Sequence, residues 1–236
     1  MKCLILAAGL GTRLREVSPS KPLTPLAGVP LISHVIKRAA AGGATAFVVV
    51  TGHEAERVED FLAGFDAPIE CVRTPDWNRP NGFSVLAGAE AIAGDYLLLM
   101  SDHLFEPEIV HSLLAAPRAD AGVTLAVDHN LSGPLLDLDD ATKVELAEDG
   151  RIVRIGKALT PFDAIDTGIF LATPELAKAI RADVAAGGSG SLSEGVQQLA
   201  DAGQAATFDI GGSRWIDVDD GRMLRLAEAL LRDSAA

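Results

Sequence analysis

The chain has 236 residues, 48% of them hydrophobic, and a formal net charge of −13. That apolar content supports a sizeable core, and the length suits a single α/β domain spanning residues 1–236. The acidic balance argues against nucleic acid or an anionic membrane as partner, since both need a basic face.

Strand-like and helix-like segments alternate from the start. Residues 3–8 form an apolar run of the kind found in buried parallel strands. A glycine- and proline-rich loop follows. Residues 30–41 predict a helix with Pro30 in its first turn and Gly42 and Gly43 at its end. Residues 45–51 predict a strand, and 53–61 a helix with Val58, Phe61 and Leu62 on one face. Then come a strand over 69–73, a helix over 83–93 and a buried strand over 96–101. A helix over 106–115 and a strand over 123–128 continue the alternation. This βαβ periodicity predicts a doubly wound, mostly parallel sheet.

From Lys143 the pattern changes to two short strands, 143–146 and 151–156, around the turn Glu148-Asp149-Gly150. This hairpin, within about 140–162, reads as a small insertion covering one side of a site. A strand over 165–172 and a helix over 174–186 come next. Residues 187–191 (GGSGS) read as a flexible loop. A helix over 193–201, strands over 206–210 and 215–218, and an amphipathic helix over 220–232 complete the chain. Cys3 and Cys71 are the two cysteines, and both fall in predicted strands. They read as small buried core residues of a cytoplasmic protein. The N-terminus enters a strand directly, with no leader pattern. No apolar run approaches the ~20 residues of a membrane helix.

The loop after the first strand carries the densest chemistry. Small residues at Ala7, Ala8, Gly9 and Gly11 allow close backbone approach to a ligand, and glycine permits positive φ. Successive backbone N–H groups in such a loop form an anion-binding concavity. Arg13, Arg15 and Lys21 add positive charge, and Pro19, Pro22 and Pro25 stiffen the segment around Lys21. The loop is neither of the two common phosphate loops. The string GxxxxGK[ST] is absent, and Leu14 stands where GxGxxG would need its third glycine.

Further candidates lie beyond strand ends, where ligands bind in open parallel sheets. Asp102 follows the buried strand YLLLM and is placed either to hold Mg²⁺ or to cap the next helix. His103 reads either as structural or as facing a substrate. In Trp215-Ile216-Asp217-Val218-Asp219, the two carboxylates share one face of a strand. Either could complete a metal site with Asp102, and Asp219 could instead cap the last helix. Lys157 suits a substrate phosphate as a point charge. Asp166, Thr167 and Gly168 form a turn, with Asp166 a candidate acceptor for hydroxyl groups. Residues 73–82, with Gly52 and His53, suit a nucleotide base. Asn78 and Asn81 there offer donors and acceptors, and Gly82 allows close backbone approach. Trp77 either stacks on a ligand or anchors its loop.

LAAGLGTRL followed by SKPLTPLAGVPLISHVI resembles the sugar-1-phosphate nucleotidylyltransferase signature, LAAGxGTRLxPxTxxxPKPLxPVxGKPLI. It departs at Ser20, where most members have proline. The SDH at 101–103 and the block IGKALTPFDAIDTGIF resemble the CTP:inositol-1-phosphate cytidylyltransferases of that family. Their domain is often fused to a membrane-bound phosphotransferase, so this chain is expected to be a stand-alone version.

The resemblance implies a Rossmann-like nucleotidyltransferase fold, CTP and a small phosphorylated polyol as substrates, and Mg²⁺ as cofactor. It implies nucleotide contacts from Leu6, Ala7, Ala8, Gly9, Gly11, Thr12, Arg13, Lys21, Asn81, Gly82 and Ser101. Arg13, Lys21 and Asp102 are the implied catalytic residues. The metal falls to Asp102 and, by alignment with WxDxxT, to Asp217 in preference to Asp219. Acceptor contacts fall to Lys157, Asp166, Thr167, Gly168 and His103. Other acceptors stay open: phosphocholine, an aminoalkyl phosphonate or a hexose 1-phosphate. An ammonium group would want an aromatic or acidic cage, which 5% aromatic residues disfavour. A non-catalytic nucleotide-sugar sensor is the rival of another class, although sensors are expected to lose the carboxylates or the loop lysine. A homodimer is compatible with all of this.

Overall fold

A computed structural model describes residues 1–117, 121–133 and 135–233. The first apolar run becomes β1 (Lys2–Ala7), buried except for Lys2. After the loop, β2 (Pro25–Leu26) and β3 (Val29–Pro30) form a short antiparallel pair. Then follow α1 (Leu31–Ala41), β4 (Ala46–Thr51), α2 (Ala55–Ala63) and β5 (Ile69–Arg73). Next are α3 (Gly82–Ala89), β6 (Tyr96–Met100), β7 (His103–Phe105), α4 (Pro107–Ala115) and β8 (Val123–Asp128). The hairpin is β9 (Lys143–Leu146) and β10 (Ile152–Gly156), followed by β11 (Ala164–Ala172) and α5 (Pro174–Ala185). The chain finishes with α6 (Leu192–Asp201), β12 (Ala205–Asp209), β13 (Trp215–Asp217) and α7 (Gly221–Asp233).

A nine-stranded sheet organises these elements in the order β10-β9-β11-β6-β1-β4-β5, with β8 on β11 and β12 on β8. Among the described residues, β10 and β11 alone run against the other strands of this sheet. The alternation along β1 shows why both faces are covered. Cys3, Ile5 and Ala7 pack with α1, α2 and α4, whereas Leu4, Leu6 and Ala8 pack with α3, α5 and α6. Successive side chains leave a strand on opposite faces, so a run apolar at every position needs helices on both sides. The doubly wound expectation therefore holds. A third apolar cluster joins Leu14, Leu104, Ile216 and Met223, seating α7 on the small β7–β13 pair.

Several expectations need correcting. The hairpin forms with Gly150 at φ +79°, but it is not detached from the sheet. Ala164 and Ile165 of β11 pair with Val144 and Lys143 of β9, so the hairpin extends the main sheet. Cys71 is exposed, not buried, because β5 is an edge strand. The GGSGS loop is pinned. The buried Asp183 carboxylate accepts from Gly190 N at 2.9 Å, and Ser191 and Glu194 form a capping box that starts α6. Helix α2 begins at Ala55 because Glu54 adopts a left-handed conformation, φ 55°, and α3 stops at Ala89. No helix among the described residues is long and apolar enough to cross a membrane.

Candidate active site

Gly11 turns the loop after β1 through a left-handed conformation, φ 58° and ψ 48°, into a 3-10 turn over Thr12–Leu14. Leu14 is fully buried in the third cluster and anchors that turn. A second 3-10 turn, Lys21–Leu23, carries Lys21 back beneath the loop. Ser20, the departure from the family pattern, is buried, and its N–H donates to Ser18 Oγ at 3.3 Å. A proline there has no N–H, so the serine keeps the turn by a different bond.

The Lys21 side chain is 11% exposed and forms ion pairs with Asp102 and Asp219. Burial alone would lower its pKa. The carboxylates of Asp102, Asp217 and Asp219 outweigh burial and hold it well above the ordinary lysine range. Arg13 is half exposed, and its Nη2 lies 2.6 Å from both Asp140 and Asp219. The loop cations are thus compensated by carboxylates. Phosphate oxygens would compete for the same donors.

Those carboxylates come from two strand ends. β6 runs out at Met100, and Ser101 N still reaches Leu6 O at 3.2 Å, which extends the ladder into the site. Asp102 follows, and its carbonyl accepts from Val218 N at 3.0 Å, tying it to the WIDVD segment. In the β7–β13 pair Asp217 stands directly opposite His103. Asp102, His103 and Asp217 each offer an atom within 4.8 Å of the other two. Asp217 Oδ1 is buried and accepts no hydrogen bond from the described residues. Burial would raise the Asp217 pKa, yet His103 and Lys21 hold it at about 2. His103 moves the other way: despite burial, Asp217 and Asp102 push it up to about 10.

Asp219 does not cap α7. That task belongs to Asp220, whose Oδ1 accepts from Arg222 N and Met223 N at 2.7 and 2.8 Å. Asp219 points instead at Arg13 and Lys21.

Two clefts open onto this cluster. One, of about 330 Å³, is lined by Leu6, Ala8, Gly9, Gly11, Thr12, Lys21, Ser101 and, at its far end, Trp77, Arg79 and Ser84. The other, of about 240 Å³, is lined by His103, Asp137, Asp140, Lys157, Asp166 and Gly168. Arg13, Asn81, Met100, Asp102 and Asp219 line both. The predicted phosphate loop and the predicted acceptor residues therefore meet around the predicted metal carboxylate.

Some candidates sit differently from expectation. Ala7 is buried, so only its backbone can serve the loop. Gly82 faces away from both clefts, and a Cβ on it would fall 2.1 Å from Gly190 O. Asn81 lines both clefts, with its Oδ1 accepting from Leu192 N at 3.0 Å. Asn78 lines neither, and Arg73 pairs with Glu59 at 2.7 Å. Trp77 is 36% exposed, and its ring lies 5.4 Å from that of His53. Thr167 is fully buried, with Oγ1 donating to Ala126 O at 2.8 Å, so only its carbonyl reaches the site, through His103. Asp166 accepts from Gly168 N at 2.7 Å, and burial lifts its carboxyl to about 6. The register between β11 and β8 breaks across this turn, which turns Asp166 and Gly168 toward the cleft.

Sequence reasoning missed Asp140, whose Oδ1 takes Lys157 and whose Oδ2 takes Arg13. The acidic run Asp137, Asp139, Asp140 was its only signal, and such runs usually mark solvated loops.

Residues 3–142 match the model of the MobA-like NTP transferase domain. A bifunctional IPC transferase and DIPP synthase from Rubrobacter xylanophilus is 36% identical over 236 residues, covering 98% of this chain and 52% of that protein. The chain thus spans about half the length of the curated relatives of that name that it matches along nearly all of its own. A CMP-5'-(3-aminopropyl)phosphonate synthase from Streptomyces rubellomurinus is 36% identical over 157 residues, covering 64% of this chain and 25% of that protein. Among solved structures, the inositol-1-phosphate CTP transferase from T. maritima superposes with a TM-score of 0.86 at 25% identity, covering 98% of this chain and 95% of that one. The phosphate loop, the strand-end carboxylates and the doubly wound sheet agree with these matches, and the chain belongs to the family of MobA-like NTP transferase domains.

Proposed function

We propose that this chain transfers CMP from CTP to inositol 1-phosphate, releasing pyrophosphate with Mg²⁺ as cofactor. The observation that carries the proposal is the meeting of two clefts at Arg13, Asn81, Asp102 and Asp219. A transfer between two phosphorylated substrates needs two such clefts sharing one charged seam. The likeness to the T. maritima transferase along nearly the whole of both chains supports the choice of substrates.

CTP lies in the cleft lined by Gly9 and Gly11, with its phosphates over that loop, and the acceptor lies in the cleft lined by Lys157 and Asp166. An oxygen of the acceptor phosphate attacks the α-phosphorus in line with the departing pyrophosphate. That oxygen is already anionic at neutral pH, so no general base is needed. Catalysis is positioning plus stabilisation of developing charge. Arg13 binds the β- and γ-phosphates and the leaving pyrophosphate. Lys21 bridges the α-phosphate and the incoming oxygen, and its raised pKa keeps it charged. Lys157 orients the acceptor phosphate. Asp166, which lines the acceptor cleft, offers its carboxylate to ring hydroxyls.

Asp217 Oδ1, which accepts no hydrogen bond from the described residues and lies 3.5 Å from His103 Nε2, forms with Asp102 a carboxylate pair that fits a cation. Asp102 and Asp217 would hold Mg²⁺, which when bound would supply positive charge to the phosphates.

The test is pyrophosphate release across the four nucleoside triphosphates, crossed with inositol 1-phosphate, phosphocholine, 2-aminoethylphosphonate and glucose 1-phosphate. The expected result is the highest kcat/KM for CTP with inositol 1-phosphate. Preference for an amine-bearing acceptor overturns the polyol assignment. Tight nucleotide binding with no turnover on any acceptor overturns the transferase reading.

A further inference from the structure

Arg79 lines the CTP cleft together with Trp77, Asn81 and Ser84, and nothing in the transfer chemistry above uses it. Its backbone is fixed by two tight turns. Arg79 N donates to Asp76 O at 2.9 Å, and beyond Pro80 the chain turns again, with Phe83 N donating to Pro80 O at 3.0 Å. The second turn brings the Phe83 ring against the guanidinium, with Arg79 Cζ 3.4 Å from the ring centroid. Cation–π attraction and stacking hold a planar guanidinium in such a place. Phe83 is itself held. A Cβ on Gly190 would fall 2.8 Å from Phe83 Cε2, so the ring lies against the loop that Asp183 pins.

The guanidinium donors are left for a ligand. The ion-pair partner Asp76 lies 3.7 Å away, too far for a hydrogen bond, and lines neither cleft. Among the described residues the guanidinium makes no hydrogen bond. Asn81 has spent its Oδ1 on Leu192 N, so its amide has only N–H groups left to give. Trp77 adds ring surface. It is 36% exposed and is backed by Gly52, on which a Cβ would fall 2.4 Å from Trp77 Cβ. Donors beside an aromatic ring suit a base whose edge presents acceptors.

The two pyrimidines differ on that edge. Cytosine carries two adjacent acceptors, N3 and O2. Uracil carries an N3–H donor between two acceptors. A guanidinium offers two parallel N–H bonds, the pattern that guanine N1–H and N2–H present to cytosine in a base pair. It meets both cytosine acceptors. Against uracil, one of its N–H groups faces N3–H and goes unpaired.

We propose that Arg79, held over Phe83, reads N3 and O2 of the cytosine ring and makes this cleft select CTP over UTP. Arg79 has this task only if CTP occupies the cleft as proposed above.

The experiment measures binding of CTP and of UTP to the full chain by calorimetry, with Mg²⁺ and without acceptor. Wild type is expected to bind CTP at least ~10-fold more tightly than UTP, the discrimination of one good bidentate pair. Arg79→Lys keeps the charge and loses the fork, so the ratio should fall to about twofold or less, chiefly through weaker CTP binding. The Arg79 side chain is 47% exposed, so the variant tests recognition and not folding. An unchanged ratio in Arg79→Lys, whether both nucleotides weaken alike or neither does, sinks the Arg79 assignment and leaves the transferase reading standing. A wild-type chain that binds UTP as tightly as CTP sinks the CTP reading itself, and the Arg79 task with it.

Discussion

Gly11 makes room for Lys21: a Cβ on Gly11 would lie 2.3 Å from Lys21 Cβ. The glycine is therefore required twice, by its φ of 58° and by the side chain beneath it. Gly11→Ala should strain the left-handed turn by ~1–2 kcal/mol. It should also push Lys21 off Asp102 and Asp219. We expect kcat to fall roughly 100-fold, as when a charged transition-state contact is removed, and to match Lys21→Ala. Steady-state kinetics of the two variants test this. A Gly11→Ala enzyme with normal kcat would disconnect the glycine from the lysine.

Asp102→Asn and Asp217→Asn should each raise the metal concentration needed for half-maximal activity and lower the maximal rate. Asp219 touches Arg13 and Lys21 and stands outside the Asp102–His103–Asp217 cluster. Asp219→Asn should therefore leave the metal requirement unchanged and alter KM for CTP. Metal titrations of the three variants check the division. A metal defect confined to Asp219→Asn would shift the WIDVD alignment by one side-chain repeat.

Asp140 ties Arg13 to Lys157 with its two oxygens. Its partners are largely exposed, and such pairs are worth at most ~1 kcal/mol. Asp140→Asn frees Lys157 and leaves Arg13 with Asp219 alone, so pyrophosphate should inhibit about two- to fivefold more tightly. Lys157→Ala should raise the acceptor KM and leave the KM for CTP unchanged. Product-inhibition and two-substrate kinetics read both effects. Equal changes in the two KM values for Lys157→Ala would remove the lysine from the acceptor side.

Asp183 holds the GGSGS loop through Gly190 N, and the same loop leads to Leu192, whose N–H meets Asn81. Asp183→Ala leaves a buried N–H without a partner, at a cost of ~1–3 kcal/mol. Thermal denaturation should show a melting temperature lower by several degrees. An unchanged melting point would mean that the loop is not held by this carboxylate.

Much of the fold was already written in local pattern. A short run apolar at every position from Cys3 to Ala7, ended by a glycine-rich loop, reads as a strand covered on both faces, and the helices between such strands followed from spacing. The phosphate loop was equally readable, because glycine, arginine and lysine act there through short-range backbone and charge effects. The strand-end aspartates were readable for a topological reason, since ligands gather beyond the carboxyl ends of parallel strands. Other features required the assembled chain. Asp217 faces His103 only because β13 pairs with β7 across more than a hundred residues of sequence. Asp140 gains a role only where a loop after β8 comes to lie between Arg13 and Lys157. Thr167 turns inward and Gly82 packs on Gly190 because neighbours distant in sequence occupy the space beside them. Periodicity records how each segment divides its side chains between core and solvent. Which charges finally meet depends on distances between segments, and those exist only once the sheet, its register and its crossovers have formed.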